Sequence, residues 1–171
     1  MTQDLRQINI AFLGFGSVGR AFMNLLQSRR RWLDREFRLE WKVTGITTQN
    51  HGMAIDHAGL PVQKILRAGK RDFNLEPYHN GPVCASNTDF IRQCGADILF
   101  ETSVFTLDAE PASTYIREAL QAGLHVVTAN KGPVAKHYRR LTRLARQRSV
   151  RFLYEGTVMD GAPVFNLVRQ T

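Results

Sequence analysis

The sequence has few cysteines and no long hydrophobic run. Its 171 residues include only two cysteines, Cys84 and Cys94. Their spacing matches neither a zinc site nor a disulfide framework. No apolar stretch approaches the roughly 20 residues that a membrane-spanning helix needs. The N-terminal segment also lacks the basic and apolar regions of a signal peptide. These absences argue against membrane proteins and disulfide-rich secreted proteins, and we expect a cytoplasmic protein.

Acidic residues are outnumbered by basic ones. The chain has 23 lysines and arginines against 15 aspartates and glutamates, a formal net charge of +8. A basic surface can indicate a nucleic-acid binder, but the arginines at 29–31 and 139–148 lie in helical patterns with apolar residues between them. Solvated helix faces explain such runs more simply. We therefore expect no nucleic-acid partner, and a positive field that attracts anionic ligands.

Apolar, β-prone segments alternate with helical patterns along the chain, and this alternation predicts a single α/β domain with a doubly wound, Rossmann-type parallel sheet. The helix after the first strand has apolar residues at Val18, Phe22, Leu25 and Leu26, which predict one buried stripe. The first half also contains a charged connection over 29–40. Residues 48–82 are predicted to form an irregular segment with one short helix. The predicted strands cover 8–13, 41–47, 96–100, 124–128 and 150–154, and later helices start near Thr88, Pro111 and Pro133.

A glycine-rich turn follows the first predicted strand. Residues 14–19 read G-F-G-S-V-G, a G-x-G-x-x-G motif placed between an apolar strand and an amphipathic helix. Gly14 permits the tight turn, Gly16 lets a pyrophosphate approach the backbone, and Gly19 lets the helix pack closely on the strand. The free N–H groups of the helix N-terminus favour phosphate. The motif in this context predicts a dinucleotide site.

The end of the second strand bears on the choice of cofactor. NAD-selective folds usually place an aspartate or glutamate there, which binds the ribose 2′-hydroxyl. Residues 46–51 contain no acid, so a 2′-phosphate would meet no repulsion, and we favour NADP over NAD. No arginine lies in this segment, but cations further along could fold back towards the ribose, namely Lys64, Arg67, Lys70 and Arg71.

A lysine stands at the end of another predicted strand. Residues 125–133 read H-V-V-T-A-N-K-G-P, which places Lys131 just before a helix that Pro133 is predicted to begin. The carboxyl ends of parallel strands are where open α/β sheets bind ligands. A cation at a helix N-terminus also opposes the helix dipole. Such local conflicts tend to mark functional sites.

Five segments together resemble the N-terminal NAD(P)-binding domain of the homoserine dehydrogenase family. They read GFGSVGR, HGMAIDHAGL, ADILFETS, GLHVVTANKGPVA and FLYEGTVMDGAPVF, and the resemblance runs from Ile8 to about Leu167. It implies an oxidoreductase of threonine and methionine biosynthesis that interconverts L-homoserine and L-aspartate 4-semialdehyde with NAD(P), with a homo-oligomer possible. It also implies a dinucleotide-binding domain over 1–155 and, over 156–171, the start of a crossing segment towards a substrate domain that the chain lacks.

The resemblance also implies roles for individual residues. Lys131 would lie between cofactor and substrate as the catalytic residue, because oxidation of an alcohol by hydride loss requires a proton acceptor. A sodium ion or another monovalent cation would be held largely by backbone carbonyls of Glu155, Val158, Asp160 and Ala162, although Glu155 equally fits a capping carboxylate. The implied cofactor contacts are Gly14, Phe15, Gly16, Ser17, Val18, Gly19, Thr102, Ser103, Asn130 and Lys131.

Two other functions stay open at this point. A different dehydrogenase could share this domain, although the VVTANKGP segment argues against it. A stand-alone dinucleotide-binding or sensing module would need no substrate domain and would do no chemistry. Measured turnover separates an enzyme from a binding module. Titration with NADPH and NADH tests the dinucleotide binding that both functions require.

Overall fold

A computed structural model describes residues 6–68, 73–158 and 168 of the chain. Its sheet has six strands in the order β3-β2-β1-β4-β5-β6. Neighbouring strands pair in parallel, except that β3 runs antiparallel to β2. This arrangement confirms the predicted doubly wound α/β fold. The strands are β1 (Arg6–Leu13), β2 (Leu39–Thr47), β3 (Met53–Ile55), β4 (Ile98–Glu101), β5 (His125–Thr128) and β6 (Phe152–Leu153).

Helices connect the strands and cover both faces of the sheet. None of them, within the described residues, is long and apolar enough to cross a bilayer. The helices are α1 (Ser17–Phe37), α2 (Val62–Arg67), α3 (Asn87–Gln93), α4 (Ala112–Gln121) and α5 (Lys131–Gln147), with short 3-10 turns at Glu76–Tyr78 and Glu155–Thr157.

β1 shows why the fold buries both faces of its sheet. Successive side chains of a strand point to opposite faces, and Ala11 and Leu13 pack in a core cluster with residues of α3, α4 and α5. Ile10 and Phe12 pack on the other face with residues of α1 and α2. All four side chains are buried, so a continuous apolar run, rather than an alternating one, is the pattern this central strand requires.

The connection predicted over residues 29–40 is wrong. α1 continues through its arginines to Phe37, and Arg38 ends the helix in the left-handed conformation with φ of 50°. β2 then starts at Leu39. Arginine, leucine and glutamate are good helix formers, so the charge in this segment marks a solvated helix surface and not a loop.

The predicted stripe on α1 is also partly wrong. Val18 and Leu25 are 55% and 52% exposed, whereas Gly19, Arg20 and Met23 are the buried positions of the helix. Gly19 packs against Gly14, since a Cβ on Gly19 would lie 3.2 Å from the Gly14 carbonyl oxygen. This contact sets the rotation of the helix about its axis and moves the buried face away from Val18.

The segment predicted to be irregular, residues 48–82, contains one strand that was not predicted. β3 has only three residues, and it pairs with β2 through the register of Gly45 with Ile55 and Thr47 with Met53. A strand this short shows no periodicity of its own, so its assignment depends on the neighbouring strand that supplies its hydrogen bonds.

Candidate functional site

Two cavities lie at the carboxyl ends of the parallel strands. The larger, which we call the glycine cleft, has a volume of about 640 Å³ and is lined by the glycine turn, residues 47–51 and parts of the segments after β4. The smaller, the lysine cavity, has a volume of about 370 Å³ and lies beside Val18, Asn130 and Lys131. Thr102 and Ser103 line both. The sheet order reverses between β1 and β4, and such a switch point is where open α/β sheets bind ligands.

Gly14 makes the tight turn that the sequence predicts. Its φ is +88°, and its N–H donates to the Thr47 carbonyl oxygen at 2.9 Å. The Gly14 carbonyl oxygen accepts from the Thr102 hydroxyl at 2.8 Å. A Cβ on Gly14 would lie 2.5 Å from the Thr102 carbonyl oxygen, so the turn and the end of β4 are in direct backbone contact.

Gly16 has the opposite environment. A Cβ added there would meet no heavy atom within 4 Å, and Gly16 is the N-cap of α1 with no side-chain cap. The first N–H groups of a helix have no partners within it. An open space at a helix N-terminus fits a pyrophosphate, so the residues present suit the predicted cofactor.

The predicted contacts beside these glycines differ in exposure. Ser17 and Val18 are exposed on the first turn of α1. Phe15 is buried, and its ring packs edge-on against Phe12 at a centroid distance of 5.4 Å. Phe15 borders the glycine cleft, and its side chain also packs in the hydrophobic core.

The far end of the glycine cleft contains a buried arginine that the sequence analysis did not single out. Arg20 is only 8% exposed, and its Nη2 donates to the carbonyl oxygens of Leu66 and Ala68, both at 2.7 Å. Its guanidinium lies 5.3 Å from the Phe73 ring, which in turn stacks on His51 at 4.3 Å. Burial lowers the pKa of Arg20 from its ordinary value. The sequence signal that could have identified Arg20 is its position directly after the third glycine of the G-x-G-x-x-G motif.

The other predicted cations are placed differently. Lys64 lines a separate groove beside the amino-terminal halves of β1 and β2, so it is not part of the glycine cleft. Arg67 is exposed on α2, and Lys70 and Arg71 lie outside the described residues. No aspartate or glutamate lines the glycine cleft in the described part of the chain.

Lys131 lies in the first turn of a helix and not before it. α5 begins at Lys131, two residues earlier than predicted, and Asn130 is its N-cap, with Oδ1 accepting from the Gly132 N–H at 3.1 Å. Asparagine is among the strongest N-caps, and Pro133 fits inside the first turn because its missing N–H would have no helical partner. Lys131 is exposed and borders the lysine cavity.

A buried carboxylate lies behind that cavity. The Glu101 Oε1 accepts from both the backbone N–H and the hydroxyl of Ser103, the former at 2.9 Å. Its Oε2 accepts from the Thr128 hydroxyl at 2.6 Å. The Asn130 N–H donates to the same Thr128 oxygen at 2.9 Å. Glu101 thus connects the loop after β4 to the start of α5. The sequence analysis missed it because nothing in the local pattern marks a buried acid.

The predicted cation site is described only in part. Glu155 starts the 3-10 turn Glu155–Thr157, and Val158 follows it. Asp160 and Ala162 lie outside the described residues. Within the described part of the chain, no group of three or more histidine, cysteine, aspartate or glutamate side chains could hold a metal ion. A sodium site made of backbone carbonyls stays a prediction.

Comparisons with known proteins agree on one family. The family model for the homoserine dehydrogenase NAD binding domain matches residues 14–155. The NAD(+)-dependent homoserine dehydrogenase of Pseudomonas canavaninivorans is 38% identical over 168 residues, which are 97% of this chain and 47% of that protein. The homoserine dehydrogenase of Methanocaldococcus jannaschii is 32% identical over 96% of this chain and 48% of its own length.

A structural relative shows the same extent of overlap. A hyperthermophilic archaeal homoserine dehydrogenase, solved in complex with NADPH, superimposes with a TM-score of 0.79 at 26% identity. The match covers 97% of this chain and 49% of the other. The chain therefore spans about half the length of the relatives it matches.

Proposed function

Because the chain belongs to the homoserine dehydrogenase family, as its NAD-binding domain, we propose that the glycine cleft and the lysine cavity together hold one NAD(P) molecule. The pyrophosphate would lie over residues 14–19, and the nicotinamide end would reach Thr102, Ser103 and Asn130. The observation that carries this proposal is the contrast between Gly14, packed against backbone, and Gly16, open to the cleft. Substitution tests it, since Gly16→Val should lose NAD(P) binding whereas Gly14→Ala should lose stability.

The reaction we propose for the whole protein is the oxidation of L-homoserine to L-aspartate 4-semialdehyde and its reverse. Bound NAD(P) would supply the hydride acceptor or donor. Lys131, at the edge of the lysine cavity, would take the hydroxyl proton of the alcohol in one direction and return it in the other. Asn130 would hold Lys131 in position, since it caps the helix that starts there.

A binding module without catalysis is the second candidate, and one observation favours it for this chain by itself. No acidic side chain lines the lysine cavity among the described residues, although an amino-acid substrate presents an ammonium group as well as a carboxylate. Orientation of the reacting groups can be worth roughly 7–11 kcal/mol of barrier, and the described residues around the lysine cavity supply no carboxylate to orient the ammonium group.

We therefore expect the 171-residue chain to bind NAD(P) and to show no appreciable homoserine oxidation at saturating cofactor. The measurement is the absorbance of reduced nicotinamide over time, with equilibrium binding measured on the same sample. If the rest of a relative supplied in trans restores turnover, Lys131→Ala should remove most of it while the fold persists. Robust turnover by the isolated chain would show that its own residues complete the substrate site.

Cofactor preference is the finer part of the proposal. One relative is named NAD(+)-dependent, and another was solved in complex with NADPH. In this chain no acid lines the ribose end of the glycine cleft among the described residues, and the buried cation Arg20 borders the same cleft. We therefore propose that NADPH binds at least as tightly as NADH.

A competition titration of NADPH against NADH measures this preference. Thr48→Asp should shift it towards NADH by on the order of tenfold, because a carboxylate at the end of β2 repels a 2′-phosphate. Thr48 Oγ1 accepts from the His51 N–H at 2.9 Å, which an aspartate oxygen can also do. The matched control is the neutral Thr48→Asn. A wild-type chain that clearly prefers NADH would contradict the proposal.

A further inference from the structure

Glu101 is a fully buried carboxylate at the junction of the two halves of the site. It has no solvent-exposed surface, and it pairs in register with Thr128 across β4 and β5. Both of its oxygens accept hydrogen bonds, from Ser103 on one side and from Thr128 on the other. Within the described residues no lysine, arginine or histidine forms an ion pair with it.

A side chain that only connects Ser103 to Thr128 through hydrogen bonds does not need to be charged. Burying an ionised carboxylate is unfavourable unless hydrogen bonds or an opposite charge offset the lost hydration, and replacing buried ionic groups by apolar ones of similar size is often neutral or stabilising. Three hydrogen bonds offset part of this cost. A nearby cation would stabilise the negative charge of Glu101 further, and a ligand bound in the site can supply that cation.

The position of Glu101 indicates which cation that is. Ser103, which donates two hydrogen bonds to the carboxylate, also lines the lysine cavity. Asn130 lines it as well, and its N–H is connected to the carboxylate through Thr128. The carboxylate therefore lies one layer of side chains behind the wall that, under the proposed function, faces the nicotinamide. That ring is positively charged in the oxidised cofactor and neutral in the reduced one.

We propose that Glu101 is a positioning residue that orients Ser103 and the start of α5, and whose negative charge favours the oxidised, cationic nicotinamide over the reduced ring. The inference rests on the proposed function, because it requires the nicotinamide to enter the lysine cavity. Lys131 borders the same cavity, and whenever its amine carries a proton, as it does after accepting one from the alcohol, its positive charge disfavours the cationic ring. Glu101 offsets this repulsion, so a lysine and an oxidised nicotinamide can occupy one cavity.

The ratio of the dissociation constants for NADP+ and NADPH isolates this effect. The two cofactors have nearly the same shape, so a general loosening of the site weakens both equally, whereas loss of the charge weakens only the oxidised form. In Glu101→Gln, the affinity for NADP+ should fall relative to NADPH by at least about tenfold, because two opposite charges several ångströms apart attract each other by more than this factor at the effective dielectric constant of a protein. Equilibrium titration at fixed salt measures both constants.

Three further variants make the test specific. Thr128→Val keeps the charge but removes a donor, and should weaken both cofactors with an unchanged ratio. Glu101→Met removes the charge without placing an amide N–H beside Thr128, and replaces Glu101→Gln if that variant fails to fold. Glu36→Gln removes an exposed carboxylate at the end of α1 and should change nothing.

The outcomes separate this inference from the proposed function. A ratio that falls in the charge-removing variants and holds in Thr128→Val supports the role of Glu101. Equal losses for both cofactors in a charge-removing variant would leave only a structural role and overturn the inference, while the proposed function stands. A wild-type chain that binds neither NADP+ nor NADPH overturns both.

Discussion

The Gly16→Val variant is expected to lose NAD(P) binding and to keep its fold. In the free protein a Cβ at this position meets no heavy atom within 4 Å, so the folded chain accommodates a larger side chain. The space in front of Gly16 is where the pyrophosphate would approach the first N–H groups of α1. A valine would fill that space and hold the phosphates away from their donors.

The expected loss of affinity is on the order of a hundredfold, corresponding to about 2.7 kcal/mol. Stability should fall by only about 1 kcal/mol, because valine is a poorer N-cap than glycine. For a chain of this size that corresponds to a Tm lower by roughly 2–4 °C. Binding is measured by nicotinamide fluorescence and stability by thermal unfolding of the free protein.

Gly16→Ala provides a graded control, because its single methyl group fills less of the space. Its affinity should lie between those of the wild type and Gly16→Val, with a decrease in Tm similar to that of the valine variant, because alanine is an equally poor N-cap. Unchanged affinity in the valine variant would mean that the dinucleotide does not bind over this turn.

The second large effect is expected at Gly14, where the consequence is loss of stability. Gly14→Ala should lower the free energy of unfolding by about 4 kcal/mol. A left-handed conformation costs an ordinary residue about 1–2 kcal/mol, and overpacking a fitted contact typically costs a further 1–3 kcal/mol. The new methyl group would lie 2.5 Å from the Thr102 carbonyl oxygen and 2.8 Å from the Ser103 nitrogen. Both are backbone atoms at the end of β4, so neither can rotate away.

Gly123→Ala is the matched control for backbone strain. Gly123 has a φ of +85°, close to the +88° of Gly14, but a Cβ there meets nothing within 4 Å. Its substitution should therefore cost only the conformational part, about 1–2 kcal/mol. Denaturant unfolding measures both variants, and the difference between them reports the contact between the glycine turn and the end of β4. Equal losses at the two glycines would contradict the close packing under Gly14.

Short-range features could be predicted from the sequence because the cause of each lies within a few neighbouring residues. The apolar run of β1 requires burial on both faces, and the glycine turn requires a strand before it and a helix after it. These two features predict the dinucleotide-binding fold together with the later alternation of strands and helices. Even the motif around Lys131 was found in this way, although its helix begins two residues earlier than predicted.

Long-range features could not be predicted, because their partners are distant in sequence. Arg20 is buried by hydrogen bonds to residues 66 and 68, and β3 exists only by pairing with β2. The rotation of α1, which exposes Val18, places Gly19 against Thr102, whose hydroxyl oxygen would lie 3.4 Å from a Cβ on Gly19. No periodicity within α1 or β3 contains this information.

The sequence by itself determined the fold class, the glycine turn and the family, since each depends on local patterns of backbone freedom and hydrophobicity. Only the tertiary structure decided which polar groups face the site. Glu101 and Thr128 are separated by a whole helix in sequence, yet their side chains meet at 2.6 Å because parallel pairing of β4 and β5 places them side by side. A buried charge is accommodated by donors from several elements, and strand pairing is what brings those donors together.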